Sequence, residues 1–549
     1  MQKIKFMKFR LVAVLGLTLV ALVASAQNNQ ANNTVPRPKL VVGIMVDQMR
    51  WDFLYRYFDR YQGGGFKRML NEGFTAENTN IDYAATVTAI GHSTVYTGSV
   101  PSIHGIAGND FIIQATGESM YCTTDTTVKT VGSTSREGEM SPKNLWVSTI
   151  TDELRLATNF RSKVIGIALK DRGSILPAGH TGNAAYWFDD PTGNWITSTY
   201  YMNELPDWVK RLNDQKLVEQ YLKQEWNTLY PISTYTQSLP DNNPYEGLFS
   251  GATTPTFPVK TSAARLASVQ NTPYGNTFTF DMAKAAIENE GLGKSGFTDF
   301  LAVSLSSPDY IGHQYAPNSI EIEDTYLRLD NELADFFTFL DKTTGKGNYT
   351  VFLTADHGAA HNVNFMKDNK LPAGLWQSGQ LLQELNAMLQ GKYNAARLVV
   401  SFSNLQASLN NRIIATNNLN EESIRKDVVN FLQGKPGIAG VFDLKAINNV
   451  ILPDELRSKI VNGYNSERSG VVQIILKPGW YSGQQTGTTH GSLYPYDTHI
   501  PLLFMGWGIN HGKTNKLTNM TDISPTIAAL LHIQAPNGSI GKPIVEVLK

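Results

Sequence analysis

The stretch "RPKLVVGIMVDQMRWDFLYRY", from Arg37 to Tyr57, contains an uninterrupted apolar run from Leu40 to Val46 that ends at Asp47. An apolar run of this length between polar residues predicts a strand buried on both faces, followed here by a helix. Strands buried on both faces occur in sheets that helices cover on both sides. The stretch therefore predicts an α/β fold.

The same arrangement returns downstream of this stretch. Further strands are predicted in "SKVIGIALKDRGS" (162–174), "TDFLAVSLSSPDYIGH" (298–313), "NYTVFLTADHG" (348–358) and "HIPLLFMGWG" (499–508). Segments in which apolar residues recur with the period of a helix lie between these strands. One is "IEIEDTYLRLDNELADFFTFLDK" (320–342), where apolar residues mark one face. This alternation predicts a central, mostly parallel sheet flanked by helices. Ligands bind beyond the carboxyl ends of the strands in such sheets.

Two regions interrupt this alternation. Residues 185–264 are rich in Pro, Asn, Tyr and Trp and show little periodicity, which predicts an insertion that decorates the core. Residues 373–469 contain helical segments together with short predicted strands ("RLVVSFS", "NRIIAT" and "AGVFDL"), which predicts an α+β cap. The core would then consist of residues 36–184, 265–372 and 470–549.

The N-terminus predicts export. "MQKIKFMKFRLVAVLGLTLVALVASAQNN" has four basic residues, an apolar run from Leu11 to Ala24 and an Ala-Ser-Ala site, which predicts a signal peptide (1–26) cleaved after Ala26. The alternative is an uncleaved anchor, but the run is shorter than the ~20 residues that span a membrane. We therefore expect a periplasmic or secreted protein without an integral membrane anchor. The single cysteine, Cys122, allows no internal disulfide, so stability must come from the core.

Composition limits the partners that the chain can attract. The 549 residues are 42% apolar and 17% charged, which is typical of a globular protein with a sizeable core. Lys and Arg number 47 against 48 Asp and Glu, so the net charge is −1. No global field draws this protein to nucleic acid or to an anionic membrane, so nucleic acid is not expected as a specific partner. Any recognition of an anion must be local.

Residue types that bind metals collect at the predicted strand ends and in nearby loops. They are Asp47, Asp309, His313, Asp356, His357 and His490. Each alone has an ordinary explanation as a helix cap, a turn former or a solvated loop residue. Together, carboxylates and imidazoles suit zinc, and two zinc ions each take three or four protein ligands. Asp309 and His313 are four residues apart, so one helical turn can direct both at one ion.

A hydroxyl stands at a predicted helix start in "YAATVTAIGHST", residues 83–94. Thr88 could cap this helix or act as a nucleophile, and the residues alone leave both roles open. A helix N-terminus favours an anion such as a phosphoryl group, so the two roles are compatible. Thr86, two residues earlier, is expected to be structural.

The chain order of these residues is Asp, Thr, Asp-x3-His, Asp-His and a late His. With "TVTAIGHSTVYTGSVPSIHGIAGND", "ALKDRGSILPAGH", "DTYLRLD" and "TADHGAAH", the sequence resembles the alkaline phosphatase superfamily over essentially the whole mature chain. Within it, the resemblance is to the two-zinc alkaline phosphatases that use a threonine nucleophile. It implies an alkaline phosphatase/sulfatase-like fold and two Zn²⁺ per chain.

The resemblance also implies a role for each site residue. One zinc would take Asp309, His313 and His490, and the other would take Asp47, Asp356, His357 and the Thr88 oxygen. Thr88 would attack phosphorus and form a phosphothreonine that water hydrolyses. Asn109, Lys170 and Arg172 match positions that contact the transferred group. The planar fork of Arg and the point charge of Lys suit a dianionic monoester.

The presence of Lys170 and Arg172 discriminates between phosphate monoesters and phosphate diesters as substrates. Phosphodiesterase relatives typically lack this cationic pair, because a diester carries one charge fewer. We therefore expect an alkaline phosphatase that releases inorganic phosphate from small-molecule phosphate monoesters and acts as a monomer. The alternatives are a nucleotide phosphodiesterase/pyrophosphatase on the same metals and a secreted binding protein without catalysis. The other histidines are expected to be structural or peripheral: His92, His104, His180, His361, His499, His511 and His532.

Overall fold

The strand predicted in the opening stretch is present: Leu40–Val46 forms β1, and all seven of its residues are buried. The computed structural model describes residues 35–549, so the predicted signal peptide lies outside the described residues. Within residues 35–549, we find no helix with the length and apolar character needed to cross a membrane.

The remaining strands are short to medium in length. In chain order they are β2 (Phe74–Asn80), β3 (Asp110–Ile112), β4 (Ser119–Tyr121), β5 (Thr130–Val131), β6 (Val164–Ala168), β7 (Ala184–Asp189), β8 (Asn194–Ser198), β9 (Asp299–Leu305), β10 (Tyr349–Thr354), β11 (Gly374–Leu375), β12 (Val399–Ser401), β13 (Gln406–Leu409), β14 (Ile438–Asp443), β15 (Val472–Leu476), β16 (Trp480–Tyr481), β17 (His499–Ile500), β18 (Leu502–Gly506) and β19 (Gly512–Asn519).

The α-helices alternate with these strands. They are α1 (Phe53–Arg56), α2 (Phe66–Glu72), α3 (Thr88–Thr97), α4 (Pro101–His104), α5 (Ile150–Ala157), α6 (Asp171–Ala178), α7 (Asp207–Asp214), α8 (Leu217–Leu222), α9 (Tyr274–Glu290), α10 (Ser307–Tyr315), α11 (Ile320–Leu340), α12 (Val363–Asp368), α13 (Ser378–Tyr393), α14 (Asn411–Thr416), α15 (Glu421–Leu432), α16 (Asp454–Gly463), α17 (Pro495–Thr498) and α18 (Ile523–Leu531).

The central sheet is parallel in its middle, and most pairs at its sides are antiparallel, although β19 pairs parallel with β2. Its strand order is β17-β2-β18-β10-β1-β9-β6-β7-β8-β5, and β19 pairs with β2. Strands β10, β1, β9, β6 and β7 run parallel to their neighbours within this set, whereas β18 and β8 join antiparallel. Every residue of β1, β6, β9 and β10 is buried, as expected for strands covered on both faces. The predicted fold class is confirmed.

The parallel strands bring the candidate residues to one edge of the sheet. Asp47 follows β1, Lys170 follows β6, Asp309 follows β9 and Asp356 follows β10. Because parallel strands present their carboxyl ends at the same edge, these four side chains meet although up to 309 residues separate them in the chain.

A second apolar cluster underlies the predicted cap region. Helices α13 and α15 pack on a smaller sheet of order β12-β13-β15-β14. One prediction here is wrong: "NRIIAT" is helix α14 and not a strand. The side chain of Asn410 accepts a hydrogen bond from the Ile413 N–H, and this cap stabilises the helix start although the helix contains three β-branched residues.

The predicted insertion begins within the central sheet. Strands β7 and β8, at residues 184–198, extend that sheet, and irregular chain with short helices follows them. The division into core, insertion and cap, with its boundaries, stays a prediction.

Helix α3 packs tightly on the end of β10 through Gly91. A Cβ at Gly91 would lie 2.6 Å from both the Cβ and the carbonyl oxygen of Asp356. We expect Gly91→Ala to lower the free energy of unfolding by about 1–3 kcal/mol, because backbone must shift to admit the methyl group. Thermal or urea unfolding measures this change.

Gly391→Ala is the matched control, because Gly391 is also helical and a Cβ there meets no atom within 4 Å. This control should be neutral or stabilising by up to about 1 kcal/mol. Equal stability of the two variants would contradict the tight packing of α3 on β10.

Candidate active site

One cluster of candidate metal ligands comes from α10 and a late loop. Asp309 and His313 lie one turn apart on α10, with 3.2 Å between Oδ1 and Nε2. His490 Nε2 lies 3.7 Å from the same carboxylate oxygen. The Nδ1–H groups of the two histidines donate to the backbone carbonyls of Thr488 and Thr86, at 2.9 and 2.7 Å. These bonds direct both Nε2 atoms towards Asp309.

A second cluster forms where β1 and β10 end. Asp47, His92 and Asp356 each place a ligand atom within 4.8 Å of the others. His357 joins them, with Nε2 3.3 Å from Asp356 Oδ2. Among the described residues, neither of these two buried atoms has a hydrogen-bond partner. Buried polar atoms are rarely left unpaired, and a carboxylate with an imidazole is a donor set that suits a metal ion.

His92 lies inside this second cluster, although it was expected to be structural. Its Nδ1–H donates to the Thr88 carbonyl at 2.9 Å, and its Nε2 lies 2.8 Å from Ser304 Oγ. Ser304 in turn donates to Asp47 at 2.8 Å. Because both ring nitrogens are engaged, His92 connects the start of α3 with the end of β1 and is less available as a ligand than His357.

The two clusters adjoin. The rings of His357 and His490 stack with centroids 3.5 Å apart. Gln48 bridges the clusters, because its backbone N–H donates to Asp356 at 3.0 Å and its side-chain amide donates to Asp309 at 2.6 Å. Its φ of +62° lies in the left-handed region, so these two hydrogen bonds hold Gln48 in a strained backbone conformation. The sequence contained no signal for Gln48, since glutamine is not a typical metal ligand.

Negative charge is in excess at this site. Three buried carboxylates face one ammonium, because Lys170 Nζ lies 2.9 Å from Asp47 and 2.6 Å from Asp309. Burial alone would lower the pKa of Lys170, but Asp309 and Asp47 outweigh it and raise that pKa above its ordinary value. Burial raises the pKa of Asp356, and the nearby Asp47 raises it further. Cations would relieve this repulsion.

Two of the histidines are held in their neutral form. Burial lowers the pKa of His357 and of His490 below the ordinary value. The His357 Nδ1–H donates to the Gly358 carbonyl at 3.0 Å, which again leaves Nε2 with its lone pair. Metal ligation requires neutral imidazole, so this electrostatic state fits the role predicted for both residues.

Thr88 is the first residue of α3 and is only 1% exposed. Val87 occupies the cap position before it, so Thr88 is not the helix cap. Asn109 lies beside the same helix start, where its Oδ1 accepts from the Ala89 N–H at 2.9 Å. With Oδ1 engaged in this bond, the polar group that remains on the Asn109 side chain is the Nδ2 donor, beside this helix N-terminus.

Lys170 and Arg172 flank the start of α6. Arg172 Nη1 donates to the Tyr121 hydroxyl at 2.9 Å, and its buried Nε has no partner among the described residues. Asp171, between them in the chain, accepts from the hydroxyls of Tyr121 and Thr123. Tyr121 thus orients Arg172, a contact that sequence spacing does not reveal.

Thr86, expected to be structural, positions the late loop. Its carbonyl accepts from His490, and its hydroxyl donates to the Ser492 carbonyl at 3.0 Å. The structure therefore brings six candidate ligands into two adjoining clusters, with Thr88 joined to them through His92.

The sequence matches the family described as type I phosphodiesterase / nucleotide pyrophosphatase over residues 41–500. A relative from Myroides odoratus, named calcium-transporting ATPase, is 57% identical over 94% of this chain and 96% of its own length. Alkaline phosphatase PhoV from Synechococcus elongatus is 52% identical over 99% of this chain and 100% of its own.

Alkaline phosphatase PafA from Elizabethkingia meningoseptica is 51% identical over 96% of this chain and 98% of its own. The crystal structure of PafA matches with a TM-score of 0.92 at 52% identity, covering 94% of this chain and 100% of PafA. PafA has also been solved as a variant with one threonine, one asparagine, one lysine and one arginine substituted. The chain therefore belongs to the type I phosphodiesterase / nucleotide pyrophosphatase family of the alkaline phosphatase superfamily, and within it to the PafA-type alkaline phosphatases.

Proposed function

We propose that this protein is an exported, zinc-dependent alkaline phosphatase that hydrolyses small-molecule phosphate monoesters through a phosphothreonine at Thr88. The observation that carries the proposal is the pair of adjoining carboxylate–imidazole clusters beside a threonine at a helix start. The names of PhoV and PafA support phosphatase activity. Cleavage after Ala26, a periplasmic or secreted location and a monomeric state belong to the same proposal, and the sequence supports export.

The residues present fit two metal ions. Asp309, His313 and His490 would hold one ion, and Asp47, Asp356, His357 and Thr88 would hold the other. Carboxylate and imidazole donors suit zinc, and the unpartnered atoms of Asp356 and His357 support a cation there. When bound, the ions would supply Lewis acidity that lowers the pKa of a hydroxyl or water and offsets phosphoryl charge.

Two chemical steps would take place at this site. The Thr88 hydroxyl would give up its proton to solvent, and its oxygen would form a bond to phosphorus as the bond to the leaving oxygen breaks and the departing alkoxide takes a proton from water. A water molecule would then form a bond to phosphorus and give up a proton as the bond to the Thr88 oxygen breaks, and Thr88 would take a proton back. Asn109, Lys170 and Arg172, near the start of α3, would donate to the phosphoryl oxygens.

The four residue types substituted together in the PafA variant support this set. They stand in the same chain order as Thr88, Asn109, Lys170 and Arg172 of this protein.

The substrate class is tested by comparing kcat/KM for a phosphate monoester and a phosphate diester that have the same leaving group. An aryl phosphate monoester should have the larger kcat/KM, whereas the nucleotide phosphodiesterase/pyrophosphatase alternative requires the diester to have it. We include ATP as a third substrate, because the Myroides odoratus relative is named an ATPase.

Arg172→Ala should discriminate between the two esters. We expect it to lower kcat/KM for the monoester about 10- to 100-fold, because a charge-assisted contact of about 1.5–3 kcal/mol to the second phosphoryl charge is lost. The diester lacks that charge, so its kcat/KM should change less than about threefold. Arg172→Lys, which keeps the charge without the fork, should be intermediate, and equal losses for both esters would contradict the role of Arg172.

A further inference from the structure

A buried polar cluster lies outside the candidate active site, where the irregular chain after β8 meets the junction of α10 and α11. Glu246 and Glu321 are only 5% and 1% exposed, and Tyr315, the last residue of α10, is 1% exposed. We call these three residues the distal cluster. Glutamates are rarely buried to this extent unless an opposite charge accompanies them. The distal cluster therefore requires a partner for its charge.

Two backbone hydrogen bonds hold the loop that carries Glu246 against this junction. The Leu239 N–H donates to the Asn318 carbonyl at 2.8 Å. Further along the loop, the Gly247 N–H donates to the Gln314 carbonyl at 2.7 Å. One acceptor directly precedes the last residue of α10, and the other lies just before the first turn of α11. The three elements that carry the distal cluster are thereby fastened together.

Each member of the distal cluster has an oxygen without a hydrogen-bond partner among residues 35–549. These atoms are Glu246 Oε2, Tyr315 Oη and Glu321 Oε1. The other oxygen of Glu246 accepts from Asn243 Nδ2 at 2.6 Å, and this bond fixes the orientation of the carboxylate. Buried polar atoms are rarely left unpaired, so three of them in one cluster indicate a bound group that contacts all three.

Negative charge acts on the distal cluster from several residues. Burial raises the pKa of Glu321 well above its ordinary value, and the charges of Glu246, Asp241 and Asp324 raise it further. Burial raises the pKa of Glu246 as well, and Asp241 adds to this effect. A cation between the two glutamates would relieve this repulsion and favour the ionised form of both.

The donor atoms of the distal cluster determine which kind of cation fits. Its unpartnered atoms are all oxygens, and it contains neither sulfur nor imidazole. Such a set suits Ca²⁺ or Mg²⁺ better than zinc. The burial of the cluster then favours Ca²⁺, because Mg²⁺ usually keeps several water molecules and gives them up reluctantly.

We propose that Glu246 and Glu321 bind one Ca²⁺ ion, with the Tyr315 hydroxyl as a further ligand. The ion would link the chain after β8 to the start of α11 and to the end of α10, the helix that carries Asp309 and His313. It would stabilise the fold and take no part in the reaction. This inference does not depend on the proposed phosphatase function, because the distal cluster shares no residue with the candidate active site.

Equilibrium dialysis of the zinc-loaded protein against radioactive Ca²⁺ tests this site. Excess Zn²⁺ in the buffer keeps the two candidate zinc sites occupied. We expect one Ca²⁺ per chain, of which an equal concentration of Mg²⁺ displaces little. Calcium at about 100 times its Kd should raise the midpoint of thermal unfolding by about 2–3 °C, because the ion binds the folded chain and not the unfolded chain.

Two variants test the glutamates from different elements. Glu321→Gln and Glu246→Gln each remove one charge and keep the shape of the side chain. Each should weaken Ca²⁺ binding about tenfold or more, because affinity depends on the number of charged ligands. Each should also lose the thermal shift and keep two zinc ions. Because the two residues lie on separate segments, a local folding defect in one variant does not account for the same loss in the other.

Glu332→Gln is the matched control on α11. Glu332 also has an unpartnered Oε2, but the positive charges of Arg328 and Lys284 act on its carboxylate. This variant should bind Ca²⁺ with native affinity.

Three results would overturn the proposal. The first is that the native protein retains no Ca²⁺, which would leave a shared proton as the partner of the two glutamates. The second is native Ca²⁺ affinity in Glu321→Gln or Glu246→Gln. The third is equal binding of Mg²⁺ and Ca²⁺ by the native protein.

Discussion

Thr88→Ala is expected to lower kcat/KM for a phosphate monoester by about 10³-fold or more and to abolish the covalent intermediate. The variant lacks the oxygen that we propose as the nucleophile, while the clusters around it keep their residues. Steady-state kinetics measure the first effect. Acid quenching of the enzyme with substrate, followed by mass spectrometry of the peptide containing residue 88, measures the second.

Two variants of the same helix are the controls for this result. Thr88→Ser keeps a hydroxyl and should form a phosphoserine at position 88 with part of the native activity. Thr97→Ala changes the far end of α3, where the Thr97 hydroxyl donates to the Ser93 carbonyl at 2.7 Å, and it should form the phosphothreonine normally. Native turnover by Thr88→Ala, or a phosphoryl group on another residue, would refute the nucleophile assignment.

Removal of metal is expected to have the second large effect. Dialysis against a chelator should abolish hydrolysis, and Zn²⁺ should restore it with two ions bound per chain by elemental analysis. The midpoint of thermal unfolding should also fall, because Asp47, Asp309 and Asp356 are buried together and repel one another without cations.

Two histidine variants test which residues bind the zinc ions. His490→Ala should bind fewer than two zinc ions, since it removes one candidate ligand from the cluster of Asp309, His313 and His490. His180→Ala should bind two, because His180 lies outside both clusters, with its Nε2 3.2 Å from the Val147 carbonyl. Full activity after demetallation, or two ions bound by His490→Ala, would contradict the assignment of the clusters.

The fold could be predicted in segments where burial determines the pattern of apolar residues. The apolar run of β1 predicted a strand that is buried on both faces, and all seven residues of β1 are buried in the structure. The helix of residues 320–342 was likewise predicted, and it forms α11 with Ile322, Tyr326 and Leu333 buried. The error at "NRIIAT" arose where the segment is short and only Ile414 is buried, so local capping by Asn410 decided the conformation.

The candidate site could be predicted in its ligand types but not in its supporting contacts. Asp309 and His313 lie on one helical turn, as their spacing indicated. The contacts made by Gln48 and His92 join residues that are 212 to 308 positions apart, and neither residue type signals such a role from its neighbours. Only the folded sheet edge brings these partners together.

The position of β18 has a consequence for biosynthesis. This strand, at residues 502–506, lies between β10 and β2, where Leu503 is paired with Thr75. Until the ribosome has released β18, the edges of β2 and β10 that it covers have no partner. Sheets that depend on such distant pairings form slowly, and unpaired edges promote aggregation. A chain truncated before β18 should therefore fold poorly. The protein would become catalytically active only after the last tenth of the polypeptide has been synthesised.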